Sequence, residues 1–273
     1  MSVRRAIVAS YASQAYVTLI GLVLVPVYLR YMQPYFLPYI GYFQLIAAVD
    51  AFIVYDNIKY TKKGWINRNR LLRNGAAVMF SLPLQKDSDF LDVRQRYLAA
   101  EFDRGKFLNT IRGAYEHAPF FQTAMSMIRE ILEFNETNLF RFLHHSIVRT
   151  CKHLGIDTKI VTSSSLPIDH SLKSQDRVIA LCEALGATTY LNPVGGTELY
   201  SEDDFARRKI NLRFLRSKAI EYEQFGHAFV PWLSIVDVMM FNPPELIDTW
   251  IKSRTYSEFV TRDQLESASE SAL

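Results

Sequence analysis

An uncharged run, a period near 3.6 residues and a strict alternation of two succeed one another along this chain, and each predicts a different element. Between Arg5 and Arg30 lie 24 residues without a charge, AIVASYASQAYVTLIGLVLVPVYL. As a helix they would span roughly 36 Å, enough for a hydrocarbon core of about 30 Å. Arg4 and Arg5 in front have the sign that positive-inside orientation wants. Residues 6–29 are therefore expected to form an N-terminal hydrophobic helix in contact with a membrane. A buried or surface-docked helix is the alternative. No small-x-small cleavage site follows, which argues against a signal peptide.

Beyond residue 31 the pattern changes. Pro34 and Pro38 exclude a regular helix between them. Apolar positions 40, 43, 45, 46 and 49 fit a short helix, and Ala51–Tyr55 is a β-branched and aromatic run that reads as a buried strand ending at Asp56. Helical spacing returns at Phe107, Leu108, Ile111, Ala114 and Tyr115, and again from Leu139 to Leu154 with Gly155 to close it. Lys159–Thr162 predicts a strand followed by the polar loop Ser163–Ser165. Val178–Leu185 predicts a helix closed by Gly186, and Thr188–Leu191 a strand before the turn Asn192-Pro193-Val194-Gly195-Gly196. Ile210, Leu212 and Phe214 alternate, as do Ile220 and Tyr222, predicting strands with one wet face. Asn242 is placed to cap a helix with Pro243 at its first position. The strand–helix–strand order predicts an α/β domain, Rossmann-like, with a mixed or mostly parallel sheet flanked by helices. The expected divisions are a hydrophobic segment (1–31), the α/β domain (32–262) and a flexible tail (263–273).

Composition narrows the classes. With 49% hydrophobic and 22% charged residues in 273, the chain has the make-up of a folded globular protein. Its net charge of +3 is accounted for by Arg4, Arg5 and Arg30, so the remainder is neutral and gives no argument for nucleic acid. Cys151 and Cys182 fall in separate helical patterns without a CxxC, which fits small buried hydrophobes in a reducing, cytoplasmic compartment. The histidines 117, 144, 145, 153, 170 and 227 show no metal spacing, and neither GxSxG nor GxGxxG occurs, so no metal and no cofactor are expected.

Three loops carry the candidate chemistry. From Asn57 to Lys86 there are seven basic residues and no acid, and KKGWINRNRLL places Trp65 among Lys63, Asn67, Arg68, Asn69 and Arg70. Guanidinium forks grip phosphate or carboxylate, and an indole offers a stacking face. A solvated basic loop is the other reading. SLKSQDR opens a helix where Lys173, Gln175 and Arg177 would support an anion at the free N–H groups; helix capping by Ser174 explains it equally. Asn192 with Gly195 and Gly196 forms a loop that permits close backbone approach. Asp56, at a strand's carboxyl end, is the candidate base, with a structural counter-ion to nearby Lys and Arg as its alternative. His117 in EHAPFF is the second catalytic candidate, with a helix-capping role as its alternative.

Taken together, the segments MQPYFLPYIGYFQLI, YDNIKYTKKGWINRNRL, SLPL, HAPFF, LGIDTKIVTSS, SQDRVIALCEALGATTYLNPVGGTELY and EYEQFGHAFVPWLSIVDVMMFN resemble the WbqC-like family over about residues 32–245. The resemblance implies a bacterial protein of O-antigen and other surface-polysaccharide gene clusters. It implies a transferase that moves glycine or a similar acyl or aminoacyl group onto a nucleotide-linked or lipid-linked sugar. Gln33 and Tyr42, in the first motif, join the residues expected to bind that substrate. No nucleic acid partner is implied beyond an aminoacyl-tRNA donor. The first 31 residues instead resemble the opening of the polysaccharide flippases, multi-span exporters of lipid-linked sugars, which implies a location at the cytoplasmic face of the inner membrane. Two further readings stay open: a non-catalytic sugar-nucleotide binding or assembly protein, and an inactive gene-fusion remnant.

Overall fold

Parallel pairing across more than a hundred residues frames the molecule. The computed structural model describes residues 33–270. After the Pro34–Pro38 turn, α1 (Ile40–Ala47) leads into β1 (Ala51–Val54), which pairs in parallel with β4 (Lys159–Thr162), Val54 standing opposite Thr162. Between them come the hairpin β2 (Arg68–Arg73) and β3 (Ala76–Ser81) and the helices α2 (Arg104–Tyr115), α3 (Phe121–Glu133) and α4 (Leu139–His153). Then follow α5 (Ser174–Ala184), β5 (Thr189–Pro193), α6 (Glu202–Arg207), β6 (Asn211–Ser217), α7 (Ile235–Phe241), α8 (Pro244–Lys252), β7 (Ser257–Val260) and α9 (Arg262–Glu270). β6 runs parallel to β5 and antiparallel to β7. The α/β reading holds, but in place of one Rossmann-like sheet the described strands form three small ones: the parallel pair β1–β4, the antiparallel hairpin β2–β3 and the mixed β5–β6–β7.

Two apolar cores hold most of the buried hydrophobic residues among those described, and a small third cluster joins Ile53, Tyr55 and Leu181. The larger joins α1, β1, the hairpin's inner face and helices α2, α3, α4, α7 and α8. Its centre is aromatic: the ring of fully buried Phe36 lies 5.7 Å from Phe142 and 6.0 Å from Phe80. The smaller packs Val178, Ile179 and Cys182 of α5 against Tyr190, Phe205, Leu212 and Phe214. Both cysteines are buried and unpaired, and burial pushes each thiol up to about 12.

Several expectations are corrected. The basic stretch is a β-hairpin, turned by Asn74 (φ 52°) and Gly75 (φ 73°); Asn-Gly is the pair that a two-residue turn with positive φ favours. Ile220 and Tyr222 lie in an extended loop that pairs with no strand, because Tyr222 turns inward to a carboxylate. Asn242 ends α7, donating to Val238 O, and the next helix starts one residue later than expected, with Pro244 inside its first turn. Residues 263–270, expected in the tail, belong to α9. The expected membrane helix and flippase-like segment lie outside the described residues; among those described, no helix is long and apolar enough to cross a membrane.

A buried carboxylate locks the C-terminal third onto the hairpin. Asp237 is fully buried and accepts from Tyr115 Oη (2.8 Å), Tyr222 Oη (2.7 Å) and Gln224 Nε2 (2.6 Å). Tyr115 Oη in turn accepts from Leu72 N of β2. Burial pushes the carboxyl up, and the three donors pull against that shift. Asp237→Ala leaves the Tyr115 and Tyr222 hydroxyls without their acceptor and Gln224 Nε2 with the Val230 carbonyl alone, and should cost about 2–4 kcal/mol, whereas Tyr222→Phe removes one donor and should cost about 1 kcal/mol. Denaturant titration checks the order; equal losses for the two variants contradict it.

Candidate functional site

The parallel register brings Asp56 and the Ser163–Ser165 turn out at the same end of β1 and β4. Val54 and Thr162 are partners, so the chains leave the pair side by side. Asp56, 4% exposed, accepts from Ser163 Oγ (3.0 Å) and Ser164 N (3.0 Å) at Oδ1, and from Ser164 Oγ (2.6 Å) at Oδ2. Arg94 Nη1 stands 3.8 Å from Oδ2. Asn57 extends the cluster: its Oδ1 accepts from Arg177 and lies 2.7 Å from Ser163 Oγ, which has one proton to share between Asp56 and Asn57. Arg177 also covers the Tyr55 ring at 5.0 Å and reaches Asn57 O at 3.3 Å. Asn57 Nδ2 donates to His170 Nδ1 (3.2 Å), which leaves the imidazole proton on Nε2 to face Leu166 O. A carboxylate, two hydroxyls and two guanidiniums thus meet at a strand end, the place where α/β proteins hold ligands.

The hairpin supplies a second group. Strand alternation turns Arg68 and Arg70 to one face and Asn67 and Asn69 to the other. Both guanidiniums lie over Trp65, at 5.6 and 5.3 Å. Arg68 is fixed by the Gly64 carbonyl (2.6 Å) and by that of exposed Lys63, and Arg70 by the Trp232 carbonyl (3.0 Å). Among the described residues no carboxylate pairs with either arginine. The inward amides do structural work: Asn67 ties Tyr60 Oη to the Leu82 backbone, and Asn69 Nδ2 donates to Leu37 O at 2.6 Å. Tyr35 links Trp65 to Tyr42, whose hydroxyl donates to Gln33 O.

The other expected site residues stand elsewhere. Asn192 is 2% exposed, accepting from Tyr190 Oη at 3.3 Å. A Cβ at residue 196 would fall 2.0 Å from its amide nitrogen, so Gly196 is needed by Asn192 itself; half-buried Gly195 precedes it in the same turn. Gln175 bridges Ser201 N (2.5 Å) and Asp204 (2.6 Å), beside an open hollow of about 530 Å³ ringed by Glu198, Glu202, Asp203 and Asp263. Lys173 is exposed at the start of α5. His117 is exposed on the turn after α2, 3.8 Å from Glu116, and enters none of the hydrogen bonds around Asp56. A further hollow of about 370 Å³, lined by Phe120, His153, Met239 and Asp248, contains none of the expected residues.

The family motifs recur in both groups: YDN and TSS in the strand-end cluster, QPYF and WINRNR around the hairpin. Residues 33–249 match the WbqC-like protein family. The chain belongs to the WbqC-like family. A relative from Mycobacterium tuberculosis, the uncharacterized protein Rv1507c, is 28% identical over 214 residues, 77% of this chain and 91% of the relative. No solved structure matches the chain. The match covers the whole α/β framework up to α8 and begins where the uncharged N-terminal segment ends.

Ser163, Ser164, Arg94 and His170 escaped the sequence reading. A serine run after a strand carries no signal until the strand's partner is known. Asp56→Asn should lower stability by about 1–3 kcal/mol and Ser164→Ala by about 1 kcal/mol, with the double variant losing clearly less than the sum. Chemical denaturation of the four proteins measures this coupling, and strict additivity contradicts a direct Asp56–Ser164 bond.

Proposed function

We propose that this WbqC-like protein is a transferase that moves a small acyl or aminoacyl group, glycine being the simplest, onto a nucleotide-linked or lipid-linked sugar for surface-polysaccharide assembly. The observation that carries the reading is the pair of uncompensated guanidiniums, Arg68 and Arg70, stacked over Trp65 on a fold whose strand-end cluster holds a proton-accepting carboxylate. Positive charge with no carboxylate partner among the described residues favours an anionic ligand, and a diphosphate or a carboxylate has the matching geometry. In this reading the acceptor's amine or hydroxyl attacks the acyl carbonyl. Its proton passes through Ser164 Oγ to Asp56 Oδ2, and the donor's leaving group departs with the electrons of the broken acyl bond. Arg177 and Asn57 orient the acceptor. The two buried, unpaired cysteines fit a reducing compartment, in keeping with action at the cytoplasmic face of the inner membrane.

One observation favours a second reading, binding without turnover. Asp56 is already engaged by three protein donors, as a carboxylate that only shapes a binding turn would be.

Incubation of the full chain with UDP-, GDP- and dTDP-amino sugars and activated glycine donors, followed by mass spectrometry, separates the two. Transfer predicts a sugar nucleotide heavier by one glycyl group. Asp56→Asn should then lower turnover by about 10²–10⁴-fold, and replacing Arg68 and Arg70 by Ala should weaken substrate binding by about 1.5–3 kcal/mol for each lost charged contact. Tight binding without product supports the second reading.

A further inference from the structure

Two residues near the arginine pair are held in a left-handed backbone that side chains other than glycine rarely adopt: Leu37 at φ 45° and Trp232 at φ 61°. Strain of this kind persists only where neighbours enforce it, and it gathers at binding sites. Here the neighbours are explicit. The Leu37 carbonyl accepts from Asn69 Nδ2 (2.6 Å) and Ser234 Oγ (2.7 Å), while Ser234 N donates to Arg70 O (3.0 Å) and Ile235 N to Pro38 O (2.8 Å). These bonds clamp the PWLS segment across β2 and the Pro34–Pro38 turn. What the clamp presents is an indole. Trp232 is 41% exposed, with the Tyr39 ring 5.2 Å away. A large aromatic face left in water on a strained backbone favours neither burial nor backbone energy, so a stacking partner is the physical reason for it. The Trp232 backbone adjoins the charged pair, since Arg70 donates to the Trp232 carbonyl and lies over Trp65.

We propose that Trp232, supported by Tyr39, stacks the base of a nucleoside diphosphate whose phosphates lie on Arg68 and Arg70. The assignment rests on the anion site of the proposed function and adds its aromatic half, which fixes the ligand class as a nucleotide rather than a lipid-linked diphosphate without a base. Every base has a π-face, so the platform tolerates different bases, and the diphosphate supplies the charge.

Titration calorimetry of the full chain with UDP and with inorganic pyrophosphate tests it. UDP should bind more tightly than pyrophosphate, by about 5- to 150-fold from stacking. Trp232→Asn keeps a residue that tolerates positive φ while removing the ring; it should erase that ratio and leave pyrophosphate affinity unchanged. Trp232→Tyr should restore much of the ratio, and Tyr39→Leu, which leaves the clamp intact, should reduce it if the asparagine variant fails to fold. A Trp232→Asn protein that keeps the wild-type ratio overturns the stacking role. Pyrophosphate binding with no gain for UDP also overturns it, and leaves the arginine pair standing as an anion site. Failure of pyrophosphate and UDP alike to bind overturns the anion site and the stacking role together.

Discussion

A carboxylate buried to 4% exposure decides the form of the sheet end where β1 and β4 finish. Asp56 stands two residues beyond β1, and its three donors come from a turn more than a hundred residues away. Parallel strands cannot be joined by a tight turn, so this end needs an anchor other than local hydrogen bonding. The Asp56 oxygens provide it by drawing Ser163 and Ser164 onto the end of β1. Asn57 passes the constraint to Arg177 at the start of α5 and to His170 in the connecting loop. One acid therefore positions hydroxyls, an amide, a guanidinium and an imidazole together.

A second acid, Asp237, performs the matching task behind β2. Asp237 holds Tyr115, Tyr222 and Gln224, and through Tyr115 it holds the β2 backbone. Gln224 also brackets Val230, accepting from its N–H at 2.7 Å and facing its carbonyl at 3.3 Å. Two residues further on is Trp232. The strained aromatic segment thus stands on a fully satisfied buried network, the kind of support that positive φ at a bulky residue requires. Stability stored in the core is transmitted to the backbone that faces the arginines.

Periodicity made α1, α2, α4 and α5 legible before any contact was known, together with the strands β1, β4, β5 and β6. Lys159–Thr162 emerges with the limits expected, and Gly155 (φ 63°) and Gly186 (φ 64°) do end the helices they follow. The hairpin was obscured because Arg68–Arg73 carries charges at alternate positions instead of apolar residues, and the Asn74-Gly75 signal lay inside what read as a basic loop. α3, α6, α7, α9 and β7 were not expected either, although Ala124, Ile128, Ile131 and Leu132 show helical spacing. For the site, Asp56 and the Arg68–Trp65–Arg70 group were legible from local composition. Ser163, Ser164, Arg94 and Trp232 were not, since their meaning comes from pairing and backbone strain across the sequence. The inward turn of Asn67 and Asn69 follows from strand alternation, which the loop reading could not supply.

The proposed ligand site comprises Asp56, Arg177 and the arginine-bearing face of β2. Amide hydrogen exchange of the full chain, with and without a saturating nucleotide sugar, shows where the ligand sits. Binding there slows exchange in residues 64–70, 163–170 and 230–235. Slowed exchange confined to the hollow between Phe120, His153 and Asp248, with those three segments unchanged, would contradict it.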